Sequence, residues 1–122
     1  MVKYALAISV AGFVAWGVAG IAQESACLHG ASEGPAELTR RHGALRVARQ
    51  VNTIENAIHS QGQRYRSWNE LSEVSAPPEG FHAELSTDGI TYAFSIKDTW
   101  DACHFAFFSD QEGVIYTAVP IR

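Results

Sequence analysis

The chain has 122 residues, of which 47% are hydrophobic and 18% are charged, and its formal net charge is −4. This length allows one domain with a single core, and the composition is too apolar for a disordered chain. The acidic balance argues against nucleic acid as the main partner. We therefore expect a small globular domain whose partners are not nucleic acids.

The first 22 residues have the composition of an export segment. A lone Lys3 precedes uncharged residues 4–22, and the stretch ends with the small residues Gly20 and Ala22. This pattern predicts a secretory signal that is cleaved after Ala22. The same stretch approaches the length that spans a bilayer, so an uncleaved membrane anchor is the alternative. Both alternatives export the remainder, with membrane contact only if residues 4–22 are retained.

Cys27 and Cys103 are the two cysteines of the chain. In an exported protein they meet an oxidising compartment, so we expect a disulfide between them. Closing so long a loop stabilises a domain by roughly 4 kcal/mol, because it restricts the unfolded chain. Ser25 and Ala26 would also suit lipid attachment at Cys27, but Glu24 stands where such sites have an aliphatic residue.

Residues 23–35 have the Gly and Pro content of a linker, and the domain is expected over residues 36–122. Between residues 36 and 59 the apolar residues recur at helical spacing, which predicts one amphipathic helix. The apolar stripe consists of Val47, Val51, Ile54 and Ile58. The opposite face, which we expect to meet water, carries Arg40, Arg41, Arg46, Arg49, Glu55 and Asn56.

Four runs rich in aromatic and β-branched residues follow, at residues 81–87, 90–97, 102–109 and 114–119. Asp88-Gly89 is typical of a two-residue hairpin, and residues 110–113 of a longer turn. The inward faces are expected to carry Ile90, Tyr92, Phe94 and Ile96, then Cys103, Phe105 and Phe107. The predicted fold is α+β: one N-terminal amphipathic helix packed on a four-stranded antiparallel meander, preceded by an export segment.

Charge is divided unevenly along the chain. Residues 24–66 hold six arginines and four acids, whereas residues 67–122 hold two basic and nine acidic residues. The helix side is therefore basic and the sheet side acidic. Such polarity suits head-to-tail contact between copies or docking on a charged partner, and solvated faces also produce it.

Candidate metal ligands are found mainly in the predicted loops. The histidines, His29, His42, His59, His82 and His104, never fall at the i, i+3 or i, i+4 spacing of a zinc site. The candidates for a calcium ion are the loop acids Asp98, Asp101 and Asp110. Capping of turns by aspartate explains these residues equally well.

Catalysis finds little support in the sequence. Ser109, His104 and Asp110 contain the atoms of a triad, but a strand places residues 104 and 109 on opposite faces. Cys103 is expected in a disulfide and hence is not a nucleophile. We therefore predict a non-enzymatic protein, with no catalytic residue and no cofactor.

Several short motifs resemble those of one bacterial family. Residues 44–55, A-L-R-V-A-R-Q-V-N-T-I-E, are similar to the helix of pilin-like proteins, and Gly62-Gln63-Arg64-Tyr65 is similar to their G-x-Y. Tyr92-x-Phe94 and the closing F-S-D-Q-E-G-V-I at 108–115 resemble their strand motifs. With one helix before a meander, the chain resembles the globular part of type IV pilins and type II secretion pseudopilins.

The family's processing motif, a Gly followed by Phe or Met with Glu as the fifth mature residue, does not occur: Gly12-Phe13 would place Gly17 there. The resemblance implies an exported pilin-like protein that acts through surface contacts in cell-envelope assembly, secretion or adhesion. Its partners would be envelope proteins or further copies, and its sheet loops could hold calcium, as in pseudopilins. It would be periplasmic, extracellular or anchored to the outer face of the inner membrane. The alternative is a small periplasmic ligand-binding or inhibitory module.

Overall fold

The computed structural model describes residues 27–119, which form one helix and one sheet. The elements are α1 (Pro35–Ser60), a 3-10 turn (Trp68–Glu70), β1 (Phe81–Thr87), β2 (Tyr92–Asp98), β3 (Ala106–Asp110) and β4 (Tyr116–Ala118). Sheet order is β1-β2-β3-β4, and all neighbours are antiparallel. The predicted α+β fold, one helix packed on a four-stranded antiparallel meander, is confirmed.

The predicted export segment, residues 1–22, lies outside the described residues. Within residues 27–119, no helix is both long enough and apolar enough to cross a membrane.

Helix α1 has recognisable signals at both ends. It begins at Pro35, where the missing N–H costs nothing and the fixed φ suits a first helical residue. It ends before Gly62, which adopts a left-handed φ of +79° and donates its N–H to the carbonyl oxygen of His59. Glycine reaches this conformation without the steric cost of a Cβ, so the chain turns sharply here towards the sheet.

The core lies between α1 and one face of the sheet, which we call the inner face. Along β2 the buried residues alternate with exposed ones, as a strand with one covered face requires. Ala44 and Ala48 are completely buried on the helix, and their small side chains let it lie close to the strands. The other core residues are Val47, Val51, Ile58, Leu71, Phe81, Tyr92, Phe94, Ile96 and Phe107.

Of the residues that we expected in water, Glu55 is buried and Arg40 is half-buried. Glu55 is 0% exposed, because it follows Val51 by four residues and so belongs to the helical stripe that faces the sheet. The Arg40 side chain is only 14% exposed, because it reaches over the edge of the helix to an aspartate at the end of β2. Both expectations were wrong for the same reason: each polar group has a partner on a distant segment.

The strand boundaries also differ from the predictions in β2, β3 and β4. Strand β4 was expected over residues 114–119 and is observed as Tyr116–Ala118. Ile90 is 70% exposed, because the Asp88 carboxylate accepts the N–H groups of Ile90 and Thr91 and holds both in the turn. Strand β3 begins at Ala106, and not at residue 102. The preceding segment is curled around a carboxylate, and His104 has a left-handed φ of 55°.

Candidate functional site

The predicted disulfide between Cys27 and Cys103 is present, and its Cα atoms are 5.3 Å apart. The N–H of Leu28 donates to Asp101 Oδ1 at 3.0 Å, beside this bond. Together they fasten the segment before α1 to the loop between β2 and β3. A disulfide of this kind indicates an oxidising compartment, hence an exported chain.

A cluster of ionisable side chains lies next to the disulfide, and we call it the polar cluster. It consists of His29, Glu33, Glu37, Arg40, Arg41 and Asp98. Asp98 is at its centre and 0% exposed. The Arg40 guanidinium donates to both oxygens of Asp98, at 2.9 and 3.0 Å, and His29 Nε2 lies 2.7 Å from Oδ2. A bidentate arginine of this geometry is among the stronger contacts that a carboxylate makes.

The remaining members close the cluster around the start of α1. His29 Nδ1 lies 2.5 Å from Glu33 Oε2, so each ring nitrogen of His29 faces a carboxylate. Carboxylates only accept hydrogen bonds, so both nitrogens donate when the ring is an imidazolium. Arg41 makes a second bidentate pair with Glu33, and Arg40 also bonds Glu37 at 2.5 Å.

The charges in this cluster shift the titration of its carboxyls. The hydrogen bonds from Arg41 lower the pKa of Glu33 from 4.5 to about 2, against the opposing effect of burial. Burial acts to raise the pKa of Asp98, but the hydrogen bonds from Arg40 and His29 outweigh it and hold that pKa below its ordinary value. Both carboxyls are therefore ionised at neutral pH.

Arg40 is held by aromatic rings as well as by carboxylates. Its guanidinium carbon lies 4.3 Å from the ring centroid of Trp100 and 4.9 Å from that of Phe81. Gly80 makes this stacking possible, because a Cβ at that position would lie 2.5 Å from the guanidinium and 2.6 Å from the Trp100 ring. The cluster thus joins α1 to the start of β1 and to the end of β2, at the open end of this hairpin.

His29, Glu37 and Asp98 each offer one ligand atom within 4.8 Å of the others, which is the spacing of a metal site. Arg40 donates to both of these carboxylates, so its guanidinium already supplies the positive charge at this point. A metal ion would have to displace it. The arrangement is that of a structural salt-bridge network.

The three calcium candidates do not share one place. Asp98 and Asp101 lie in the same loop, but the Asp101 carboxylate accepts the N–H groups of Leu28, Cys103 and Phe105. Asp110 lies at the other end of β3, about 13 Å along the strand, and accepts a turn N–H. Calcium binding stays a prediction, and these contacts are those of turn caps.

The atoms of the candidate triad are also apart. Ser109 is buried on the inner face, where its hydroxyl donates to the Val114 carbonyl oxygen at 2.7 Å and accepts from Asn52 Nδ2 at 3.0 Å. His104 is exposed at the opposite end of β3. Within residues 27–119 the hydroxyl therefore has no histidine to activate it.

Glu55 is a buried acid that the sequence reasoning missed. Its Oε1 accepts the N–H of Arg66 at 2.8 Å, whereas its Oε2 is the one buried side-chain polar atom of residues 27–119 without a hydrogen-bond partner. Burial raises the pKa of Glu55. The signal available in the sequence was its position four residues after Val51. An acid at an apolar position of a helix either has a fixed hydrogen-bond partner or is buried at a cost in free energy.

The face of the sheet opposite α1, which we call the outer face, is open to solvent. On β3 and β4, Phe108 and Tyr116 are 41% and 52% exposed, and their stacked ring centroids lie 5.4 Å apart. No element within residues 27–119 packs against this face. The outward side chains are His82, Glu84, Ser86, Ala93, Ser95, Lys97, Ala106, Phe108, Asp110, Tyr116 and Ala118.

Small side chains around the two rings leave shallow hollows on the outer face. A hollow of about 690 Å³ is bounded by Glu84, Ala93, Ser95, Phe108, Asp110 and Tyr116. Another of about 500 Å³ adjoins it, beside Lys97, Ala106 and Ala118. A contiguous exposed surface of aromatic and small apolar residues is typical of a site of protein contact.

Comparison of the chain with protein-family models, with curated proteins and with solved structures found no match in any of the three. The resemblance to pilins stays a prediction from the sequence motifs.

Proposed function

We propose that this protein is an exported, non-enzymatic, pilin-like module that acts through protein contacts in cell-envelope assembly, secretion or adhesion. The observation that carries the proposal is the uncovered outer face. Phe108 and Tyr116 lie there on β3 and β4, and the other face of the sheet is covered by α1 and by residues that follow it, such as Tyr65 and Leu71. Aromatic residues are enriched in the central part of protein interfaces.

The side chains with catalytic chemistry support a binding function, because each is engaged in the architecture. Cys103 is in the disulfide, Ser109 bonds a backbone carbonyl, and His29 lies between two carboxylates. The outer face, by contrast, has few internal contacts: His82 Nε2 lies 3.2 Å from Glu84 Oε1, and Asp110 caps the turn after β3. We place the working protein in the periplasm, outside the cell, or at the outer face of the inner membrane if residues 4–22 remain.

Photo-crosslinking in the exporting cells tests this proposal. A benzophenone amino acid in place of Phe108 is expected to form adducts with an envelope protein or with a second copy. The matched control carries the same amino acid in place of Ile90, which is 70% exposed in the β1–β2 turn, and is expected to give none. Equal yields from the two positions, or no adduct from position 108, would contradict the proposal.

A small periplasmic ligand-binding or inhibitory module is the second candidate. The hollow of about 690 Å³ beside Phe108 favours it, because this volume lies within the range of small-molecule sites. In that case the chain would stay monomeric, a metabolite mixture would raise its unfolding temperature, and replacement of Phe108 would abolish that rise.

A further inference from the structure

On the solvent side of α1, two arginines have no partner within the described residues. His42, Arg46 and Arg49 are all exposed and follow one another at i, i+4 and i+7, on one side of the helix. The other arginines of residues 27–119, Arg40, Arg41, Arg64 and Arg66, each contact an acid or a carbonyl oxygen. Arg46 and Arg49 form no ion pair or hydrogen bond within the described part of the chain.

The outer face carries the complementary groups. Glu84 pairs with Ser95 across β1 and β2, Ser95 pairs with Phe108, and Phe108 pairs with Tyr116. An acid and two rings thus lie in one row across the sheet. Asp110 lies two residues further along β3, on the same face. Strand spacing and rise place Glu84 and Asp110 about 12 Å apart, with Asp110 next to Phe108 along β3 and Glu84 two strands away on β1.

We propose that the outer face of one copy receives the solvent side of α1 from a second copy. This inference rests on the function proposed above and names the partner. The rise of a helix sets Arg46 and Arg49 about 4.5 Å apart along its axis, and their long side chains can diverge to reach acids about 12 Å apart. Arg46 and Arg49 would lay their stems on Phe108 and Tyr116 and direct their guanidinium groups to Glu84 and Asp110.

The same chemistry already operates inside the domain. Arg40 stacks on Trp100 and Phe81 while it donates to both oxygens of Asp98. A guanidinium between rings and a carboxylate is therefore a contact that this molecule uses to join its helix to its sheet. The proposed contact repeats it between copies and adds a helix to the open side, which gives a layered α/β/α arrangement.

The two patches lie on opposite layers of one molecule, so the contact is head-to-tail. Each copy that binds through its helix keeps its outer face free, and each that binds through its outer face keeps its helix free. Association therefore continues beyond a dimer. Because charges contribute much of the attraction, salt weakens it.

Sedimentation of the exported chain, as isolated from the producing cells, tests this inference. Its average mass is expected to rise with concentration and to fall when salt is added. Two double variants, Arg46→Glu with Arg49→Glu on the helix and Glu84→Gln with Phe108→Ser on the sheet, should each associate at least about tenfold more weakly. Arg64→Glu with Arg66→Glu makes the same charge change away from both patches and should associate like the parent.

Mixing the two double variants gives the sharpest result. The helix variant keeps an intact outer face and the sheet variant keeps an intact helix, so together they should form a dimer that stops at twice the monomer mass. A mixture that stays monomeric, double variants that associate like the parent, or a parent that stays monomeric at every concentration would overturn the inference. In the last case, adducts from position 108 to another envelope protein would leave the proposed function standing.

Discussion

The two faces of the sheet are built from alternate residues of the same strands, yet they carry different properties. In β2, Tyr92, Phe94, Ile96 and Asp98 point to α1 and are nearly or fully buried, whereas Ala93 and Lys97 point outward. The inner face holds the apolar core and every contact of the buried aspartate. The outer face holds exposed rings and unburied charges. Stability is therefore expected to depend on one face and association on the other.

The largest expected effect is at Asp98. Asp98→Leu leaves Arg40 and His29 buried without their shared carboxylate, so we expect a loss of about 3–5 kcal/mol in the free energy of unfolding. Glu84→Leu is the matched control, because it removes an exposed acid from the outer face and should change stability by about 0.5 kcal/mol or less. Urea unfolding at neutral pH measures both. Equal stabilities of the two variants would contradict the assignment of Asp98.

Substitution of one apolar residue on each face of the sheet should again affect stability to different degrees. Ile96 is 0% exposed, and Ile96→Ala should cost about 2–5 kcal/mol because the helix cannot close the cavity completely. Phe108→Ser on the outer face removes a larger side chain but should cost only about 1 kcal/mol or less, because Phe108 is half exposed. If Phe108→Ser proved as destabilising as Ile96→Ala, the outer face would belong to the core.

Acid should weaken the domain through the polar cluster. The pKa values of Glu33 and Asp98 are lower in the folded state than in the unfolded one, so their contribution is complete above about pH 4.5 and is lost as the pH falls towards 2. Glu33→Gln removes part of this dependence. The check is the free energy of unfolding of both proteins between pH 6 and pH 2.5, about the range over which these carboxyls titrate. Parallel curves would contradict the role of Glu33.

Glu55 should change the stability with pH in the opposite direction to Glu33 and Asp98, and its effect should be the smallest. Burial raises its pKa in the folded state, so the ionised form costs stability as the pH rises above its unfolded value of 4.5. Glu55→Gln should be as stable as the parent at pH 4.5 and more stable, by about 1 kcal/mol, at pH 8. Thermal unfolding of both proteins at the two pH values measures the gap. A gap that does not grow with pH would contradict the assignment.

The architecture could be predicted from the sequence because its signals are local. The helix was expected over residues 36–59 and is observed as Pro35–Ser60, and β1 was expected with its observed bounds. Helical spacing of apolar residues and the Asp88-Gly89 turn signal are read within a few positions, although the predicted two-residue turn was wrong, because residues 88–91 form a four-residue turn. The third strand was placed too early because the Asp101 carboxylate, and not a neighbouring strand, binds the backbone of Cys103 and Phe105.

The polar cluster was missed because Asp98 is far along the chain from its other members, residues 29–41. Arg40 has a polar side chain, so a helical projection assigns it to water, and its partner cannot be recognised without the fold. The same holds for Glu55, which lies outside the cluster. One route was open. The predicted pairing of Cys27 with Cys103 already brings His29 near Asp98, and the confirmed disulfide shows that this step was sound.

NMR on a dilution series of the exported chain tests most directly whether the outer face is the contact surface between copies. Alanine methyl groups report on both faces: Ala93, Ala106 and Ala118 lie on the outer face, and Ala44 and Ala48 lie between α1 and the sheet. We predict that the outer-face methyl signals and the side-chain signals of Arg46 and Arg49 shift together on dilution, while those of Ala44 and Ala48 stay constant. Outer-face signals that do not move while the average mass falls would contradict the account.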